Sequence, residues 1–80
     1  MNRDSMERLV QMANDISTFF RSEPDHAAAV AGVAGHIRRF WEPRMRRHIY
    51  AHLREGGAGL SDLAREAIGQ LAEKDPVAAS

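Results

Sequence analysis

Apolar side chains recur at spacings of three and four residues along most of the chain, a period typical of helices with one buried face. No run alternates with the period of two that a half-buried strand requires. The pattern predicts an all-α fold, a small bundle of three to four helices with a disordered C-terminal tail. The helices are expected at about residues 5–21, 26–40, 43–54 and 61–73.

Prolines and glycines mark the ends of these helices. Pro24 disfavours helix at the residue before it, and Pro43 suits the first turn of a helix but not its interior. Gly56 and Gly57 can end the third helix in left-handed backbone, and Ser61 can cap the fourth. The predicted organisation is one helical domain, residues 1–73, followed by a flexible tail, residues 74–80.

The composition limits what such a small fold can use for stability. The chain has 80 residues and no cysteine, so a disulfide, a thiolate zinc site and an iron–sulfur cluster are all excluded. The chain is therefore expected to be a marginally stable monomer, a self-associating unit or a part of a larger partner's surface. Charged residues interrupt the N-terminal segment and no apolar run approaches a membrane span, which together predict a cytoplasmic protein without membrane contact.

The formal net charge of zero hides an uneven distribution along the chain. Residues 1–35 carry three basic and five acidic side chains, residues 36–54 carry six and one, and residues 55–80 carry two and five. The net charges are therefore minus two, plus five and minus three, and all six cations of the middle segment are arginines. Because arginine suits partly desolvated, bidentate contacts, the middle segment is the candidate binding region.

The predicted third helix separates an apolar face from a basic one. At about 100° per residue, Met45, Ile49 and Leu53 fall within one arc, and the opposite side carries arginines with Tyr50 among them. This basic face and the corner before it supply the candidate partner-binding residues. They are Phe40, Trp41, Pro43, Arg44, Arg46, Arg47, Tyr50 and Arg54.

Four interpretations of the basic face are open. It could contact a nucleic-acid backbone, dock on an acidic protein surface, bind an anion at the helix start, or be a solvated face. A tyrosine among arginines favours a protein interface, because both residue types are enriched where binding energy concentrates. The acidic ends of the chain and a sequence pI near 6.9 argue against nucleic acid.

Two adjacent aromatic residues precede the third helix. Consecutive helical residues point about 100° apart, so Phe40 and Trp41 cannot both face the same core. Either both rings pack around the corner, one on each side, or one of them is exposed, with Trp41 as a candidate anchor for a partner. Phe19 and Phe20 pose the same choice at the end of the first helix.

No arrangement of residues supports a catalytic site of the chain's own. The serines lack a histidine and acid context, and the glycine-rich loop after the third helix lacks the lysine and hydroxyl residue of a phosphate loop. His48, His52 and Glu55 share a helix face at a spacing that can bind a divalent metal, but such a set on an exposed helix end is usually solvated. We therefore expect no metal site, no cofactor and no enzyme activity.

The corner between the second and third helices carries the most distinctive run, Phe40-Trp41-Glu42-Pro43-Arg44-Met45-Arg46. This run resembles the delta subunit of the soluble, NAD-dependent, molybdenum-containing formate dehydrogenases of bacteria. Glutamate stands where that family more often has aspartate, and the last helix lacks the family's commoner proline-containing start. The resemblance extends over about residues 12–71 and includes residues 12–16, Phe19-Phe20, residues 31–39, Gly56-Gly57 and Leu60.

The resemblance implies an accessory subunit without a redox centre. In that family the other subunits hold the molybdopterin cofactor, the iron–sulfur clusters, the flavin and the NAD site. The delta subunit associates with the complex and supports its assembly, cofactor loading or stability. The implied partner is the large catalytic subunit, and our hypothesis is that the third helix and its corner dock there. Homo-oligomerisation of the isolated chain is a second possibility, and a small helical nucleic-acid-binding or regulatory protein is the alternative function.

Overall fold

Four α-helices and a short 3-10 helix follow one another in the computed structural model, which describes residues 3–79, with side chains from residue 5 onward. The described residues contain no strand, and the predicted all-α bundle is confirmed. None of the described helices is long and apolar enough to cross a membrane. The helices are α1 (Arg3–Phe20), α2 (His26–Phe40), α3 (Pro43–Arg54) and α4 (Asp62–Lys74), and the 3-10 helix is Pro76–Ala79.

Short polar and proline-containing segments start the helices. The Asp25 side chain accepts a hydrogen bond from the Ala27 backbone N–H at 3.0 Å and caps α2. Ser61 caps α4 in the same way, by accepting from the Ala64 N–H at 3.2 Å. Pro43 occupies the first turn of α3, where its missing N–H costs no helical hydrogen bond. These starts agree with the positions that the sequence predicts.

The loop between α3 and α4 requires glycine. Gly57 has φ +63, which strains any residue with a side chain, and a Cβ at this position would lie 2.9 Å from Nη1 of Arg65 and displace the guanidinium. Arg65 donates hydrogen bonds from Nη1 to the Gly56 carbonyl at 2.8 Å and from Nη2 to the Gly57 carbonyl at 3.0 Å. The loop is thereby fastened to α4.

The core forms where α2 packs between α1 and α4, with α3 closing the bundle on the α1 and α4 side. The helices meet through small and branched side chains, which permit close approach without large voids. The Ser17 and Ser61 hydroxyls, 2.9 Å apart, add a partly buried polar contact between α1 and the start of α4. Fully buried core residues include Ala13, Val33, Ile37, Ile49, Ala64, Ala67 and Ile68.

The structure differs from the sequence prediction at the C-terminal segment. Residues 74–79, predicted to lie in a flexible tail, finish α4 and form the 3-10 helix, which packs against α3 and α4. Asp75 between these elements is only 4 % exposed. Its carboxylate pairs with side chains of α3, and this pairing is the physical reason that the segment folds back on the bundle. Ser80, the last residue of the predicted tail, lies outside the described residues.

Candidate functional site

The inner face of α3 carries a buried polar cluster, which we call the Asp75 cluster: Trp41, Arg46, Tyr50 and Asp75. Nε of Arg46 donates to Oδ2 of Asp75 at 2.7 Å, and its Nη1 donates to the Trp41 carbonyl at 2.6 Å. The Tyr50 hydroxyl donates to the same Asp75 oxygen at 2.6 Å. Arg38 of α2 adds a longer ion pair, with its Nε 4.0 Å from Oδ1 of Asp75.

The electrostatics of the Asp75 cluster fix its protonation at neutral pH. Burial alone would raise the pKa of Asp75, but hydrogen bonds from Tyr50, Arg46 and the Val77 N–H outweigh it and lower the pKa to about 2. Burial and the neighbouring carboxylate raise the pKa of Tyr50 well above its usual range. Asp75 is therefore ionised and Tyr50 protonated, and no buried side-chain nitrogen or oxygen of the described residues lacks a hydrogen-bond partner. This arrangement suits a structural role.

Three of the predicted partner-binding residues need correction because they lie inside the protein. Trp41 is 4 % exposed, Arg46 is 4 % exposed and Tyr50 is 1 % exposed, so none is an exposed anchor on this chain. The helical pattern places the two α3 residues opposite the apolar arc, but Asp75 from the C-terminal segment covers that side of the helix. The sequence of α3 contains no local pattern from which the contact with this distant carboxylate could be predicted.

The remaining predicted residues do lie on the surface, and we call Pro43, Arg44, Arg47 and Arg54 the outer face of α3. Within the described part of the chain, none of these arginines forms an ion pair, in contrast to Arg46. Burial and the positive charges of Arg44 and Arg47 lower the pKa of the neighbouring His48, consistent with a positive potential here. The outer face is therefore a cluster of uncompensated cations.

The two aromatic pairs each place one ring in the core region and one in solvent. At the corner before α3, Trp41 is buried and Phe40 is 69 % exposed. At the end of α1, Phe19 is 76 % exposed, whereas Phe20 packs over Gly32 of α2. A Cβ at Gly32 would lie 2.5 Å from Cδ1 of Phe20, so this helical glycine makes room for the ring. Thus Phe40, not Trp41, is the exposed aromatic residue of the corner.

The histidines of α3 do not assemble a metal site in the structure. Among the described residues, no group of three or more histidine, aspartate or glutamate side chains is placed to hold a metal ion. Nε2 of His52 instead lies 2.9 Å from the Ala58 carbonyl and ties α3 to the following loop. Its predicted companions His48 and Glu55 have no such contact with it.

Comparison with known proteins identifies one family. The family model described as "NADH-dependant formate dehydrogenase delta subunit FdsD" matches residues 8–68, which are 61 of the 80 residues of the chain. The matched span includes α2, α3, the corner between them and most of α1 and α4. Neither the curated proteins nor the solved structures contain a match.

Proposed function

Because the chain belongs to the NADH-dependent formate dehydrogenase delta subunit family, we propose that it is a non-catalytic accessory subunit that binds the large catalytic subunit of a cytoplasmic enzyme. It would support the assembly, cofactor loading or stability of that subunit. The family match covers 61 of 80 residues and supports the identity of the complex. The docking surface is inferred from the geometry of this chain.

The observation that carries the docking proposal is the contrast between paired and unpaired arginines on α3. Arg46 forms a buried ion pair with Asp75 and is not available to a partner. Arg44 and Arg47 point into solvent without an ion pair in the described part of the chain, and Phe40 stands exposed at the corner beside them in sequence. Exposed arginine and aromatic side chains are the types that contribute most at protein interfaces. The outer face of α3 and Phe40 therefore form the proposed docking surface for acidic residues of the catalytic subunit.

The proposal assigns the molybdopterin, iron–sulfur, flavin and NAD sites to the other subunits of the complex. The chain has no cysteine to ligate an iron–sulfur cluster. His52, one of the two histidines spaced to bind a metal, contacts the Ala58 carbonyl through Nε2 at 2.9 Å.

Co-purification tests the docking surface. The chain is co-expressed with a tagged catalytic subunit, either as wild type, as Arg47→Glu, or as Arg21→Glu. Arg21 is exposed at the opposite end of the α1–α2 hairpin from Phe40, so its variant makes the same charge reversal away from the proposed surface. We expect Arg47→Glu to lose the complex and lower formate oxidation, while Arg21→Glu behaves as wild type. Wild-type recovery of the complex with Arg47→Glu would contradict docking through this face.

The three accessory roles predict different defects when the chain is left out. If it supports cofactor loading, the molybdenum content per catalytic subunit falls in freshly purified enzyme. If it supports stability, the initial molybdenum content is unchanged but activity decays faster on incubation. If it supports assembly, the subunits separate on size exclusion. An enzyme that is unchanged in all three respects without the chain would contradict an accessory role.

A further inference from the structure

An aromatic groove lies between α1 and α2, away from the outer face of α3. Asp15, Ile16, Phe19, Phe20 and His36 line this groove, whose volume is about 460 Å³. The Phe19 and Phe20 rings meet edge to face, with centroids 5.1 Å apart. On the far side of the groove, the His36 ring stacks at a tilt on Phe40, with centroids 4.8 Å apart. An apolar surface therefore runs from Phe19 through the groove to the corner that precedes α3.

The groove exposes apolar area that the chain cannot cover by itself. Phe19 and Phe40, 76 % and 69 % exposed, are the exposed large hydrophobic residues of the described part of the chain. Phe19 lines the groove, and Phe40 adjoins it through its contact with the His36 ring. Phe20 already occupies the space over Gly32, so Phe19 has no second site on α2 to pack against. A contiguous exposed apolar patch of this kind marks an interaction site.

The charges around the groove indicate which charges a segment that covers it should carry. On the α1 side, the Asp15 carboxylate accepts a hydrogen bond from the Gln11 amide at 2.8 Å and has no cationic partner among the described residues. At the Phe40 end, Arg39 and Arg44 likewise have no ion pair within the described part of the chain. A complementary segment is therefore acidic at the Phe40 end and basic beside Asp15, with an apolar side chain between.

We propose that the aromatic groove binds an apolar anchor side chain from such a segment of the large catalytic subunit, an inference that depends on the proposed function. A second copy of the chain is a poorer occupant. A phenylalanine buries at most about 150–250 Å², so the two exposed rings fall short of the roughly 800 Å² per partner that a stable pair needs. Phe40 belongs to the proposed docking surface and also contacts His36 of the groove, so both regions are assigned to the same partner.

A titration of the formate dehydrogenase complex, purified without this subunit, with the chain tests the groove. The Phe19→Asp variant places a charge in the groove, and Thr18→Asp places the same charge one residue away, on an exposed position that does not line it. Loss of a true anchor contact is expected to raise Kd about thirtyfold. We expect this for Phe19→Asp and less than a threefold change for Thr18→Asp, with unchanged thermal unfolding of both variants.

The outcomes separate the groove from the accessory role. If wild-type chain does not bind the complex, the proposed function fails. If wild type binds and Phe19→Asp binds less than tenfold more weakly, the proposed function stands and the groove is not part of the interface. A tenfold or larger loss with Phe19→Asp, at retained Thr18→Asp affinity, supports the groove.

Photo-crosslinking identifies the occupant directly. A benzophenone amino acid replaces Phe19 in the chain, the complex is irradiated, and the crosslinked peptides are sequenced by mass spectrometry. A peptide of the catalytic subunit with an apolar residue and neighbouring acidic and basic side chains supports the proposal. A crosslink between two copies of the chain, or to a peptide without an acidic residue, would overturn it.

Discussion

The two sides of α3 use the same residue type in opposite ways. Arg46 and Arg47 are neighbours in the sequence, yet Arg46 is 4 % exposed and pairs with Asp75 at 2.7 Å, whereas Arg47 is exposed and has no ion pair in the described part of the chain. The difference arises from the C-terminal segment, which brings one carboxylate to one side of the helix. An arginine on this helix is therefore structural or available for binding according to whether Asp75 can reach it.

This comparison separates stability from binding within a single helix. A buried charge that loses its partner is strongly destabilising, because the remaining charge has neither water nor a counter-ion. An exposed charge in water contributes little to the fold, and its removal leaves no unsatisfied group. Substitutions on the inner side should therefore change unfolding, and substitutions on the outer side should change association.

The largest effect is expected for Asp75→Ala, which removes the carboxylate shared by Arg46 and Tyr50. Removal of one partner of a buried pair costs about 3–5 kcal/mol, so we expect the free energy of unfolding to fall by that amount. Urea denaturation at neutral pH, followed by circular dichroism, measures it. Glu73→Ala, an exposed acid two residues away, is the control and should stay within about 0.5 kcal/mol of wild type. A loss below 1 kcal/mol for Asp75→Ala would show that the cluster does not hold the C-terminal segment.

A smaller effect is expected from acid, acting on the same carboxyl group. The pKa of Asp75 is lowered from 3.8 to about 2 in the folded chain. This depressed pKa contributes stability that is fully present above pH 4 and is lost as the pH falls toward 2. From the shift, the loss is about 2 kcal/mol, measured by urea denaturation across this range. A Glu73→Ala chain should show the same loss, and a pH-independent unfolding free energy between pH 4 and 2 would contradict an ionised Asp75.

Removal of one hydrogen bond from the Asp75 cluster should lower the free energy of unfolding by less than removal of the Asp75 carboxylate or its protonation. Tyr50→Phe deletes the hydroxyl that donates to Oδ2 of Asp75 at 2.6 Å and leaves the Arg46 ion pair in place. Hydrogen bonds to charged groups contribute about 1.5–3 kcal/mol, and the lower end is expected because Arg46 still donates to the same oxygen. The pKa of Asp75 should also rise, since the hydroxyl helps to lower it, so acid destabilisation should begin at a higher pH. Equal acid profiles for Tyr50→Phe and wild type would exclude this coupling.

Most of the helical fold follows from local sequence signals. The spacing of apolar residues, the prolines and the glycines each determine the backbone conformation within one or two helical turns of their own position. The start of α3 at Pro43, the cap at Ser61 and the left-handed glycines of the intervening loop are all predicted. The ordered C-terminal segment is not predicted, since small residues and a proline give no sign of a buried partner. Its folding depends on Asp75 meeting Arg46, 29 residues earlier in the chain.

The candidate site is predicted only in part, for the same reason. A helical projection shows that Arg46 and Arg47 both leave the apolar arc, but it contains no information about which of them a distant carboxylate covers. Likewise, consecutive helical residues such as Phe40 and Trp41 point in different directions, so their rings must have different surroundings. The sequence does not show which of the two rings is buried. Arg44, Arg47 and Arg54 are exposed, as the helical projection predicts, because nothing in the described chain packs over them.

The smallest effect on the fold is expected for Arg47→Ala, and this small effect is the sharpest test of the comparison. Arg47 is exposed and unpaired in the described part of the chain, so its removal should change the free energy of unfolding by less than about 0.5 kcal/mol. Arg46→Ala, one residue earlier, removes the same side chain and should cost several times more, because it leaves Asp75 buried with a weaker set of donors. Paired urea denaturations of the two variants measure the difference. Equal losses would mean that burial against Asp75 does not distinguish the two arginines, whereas a loss confined to Arg46→Ala leaves Arg47 free for a partner.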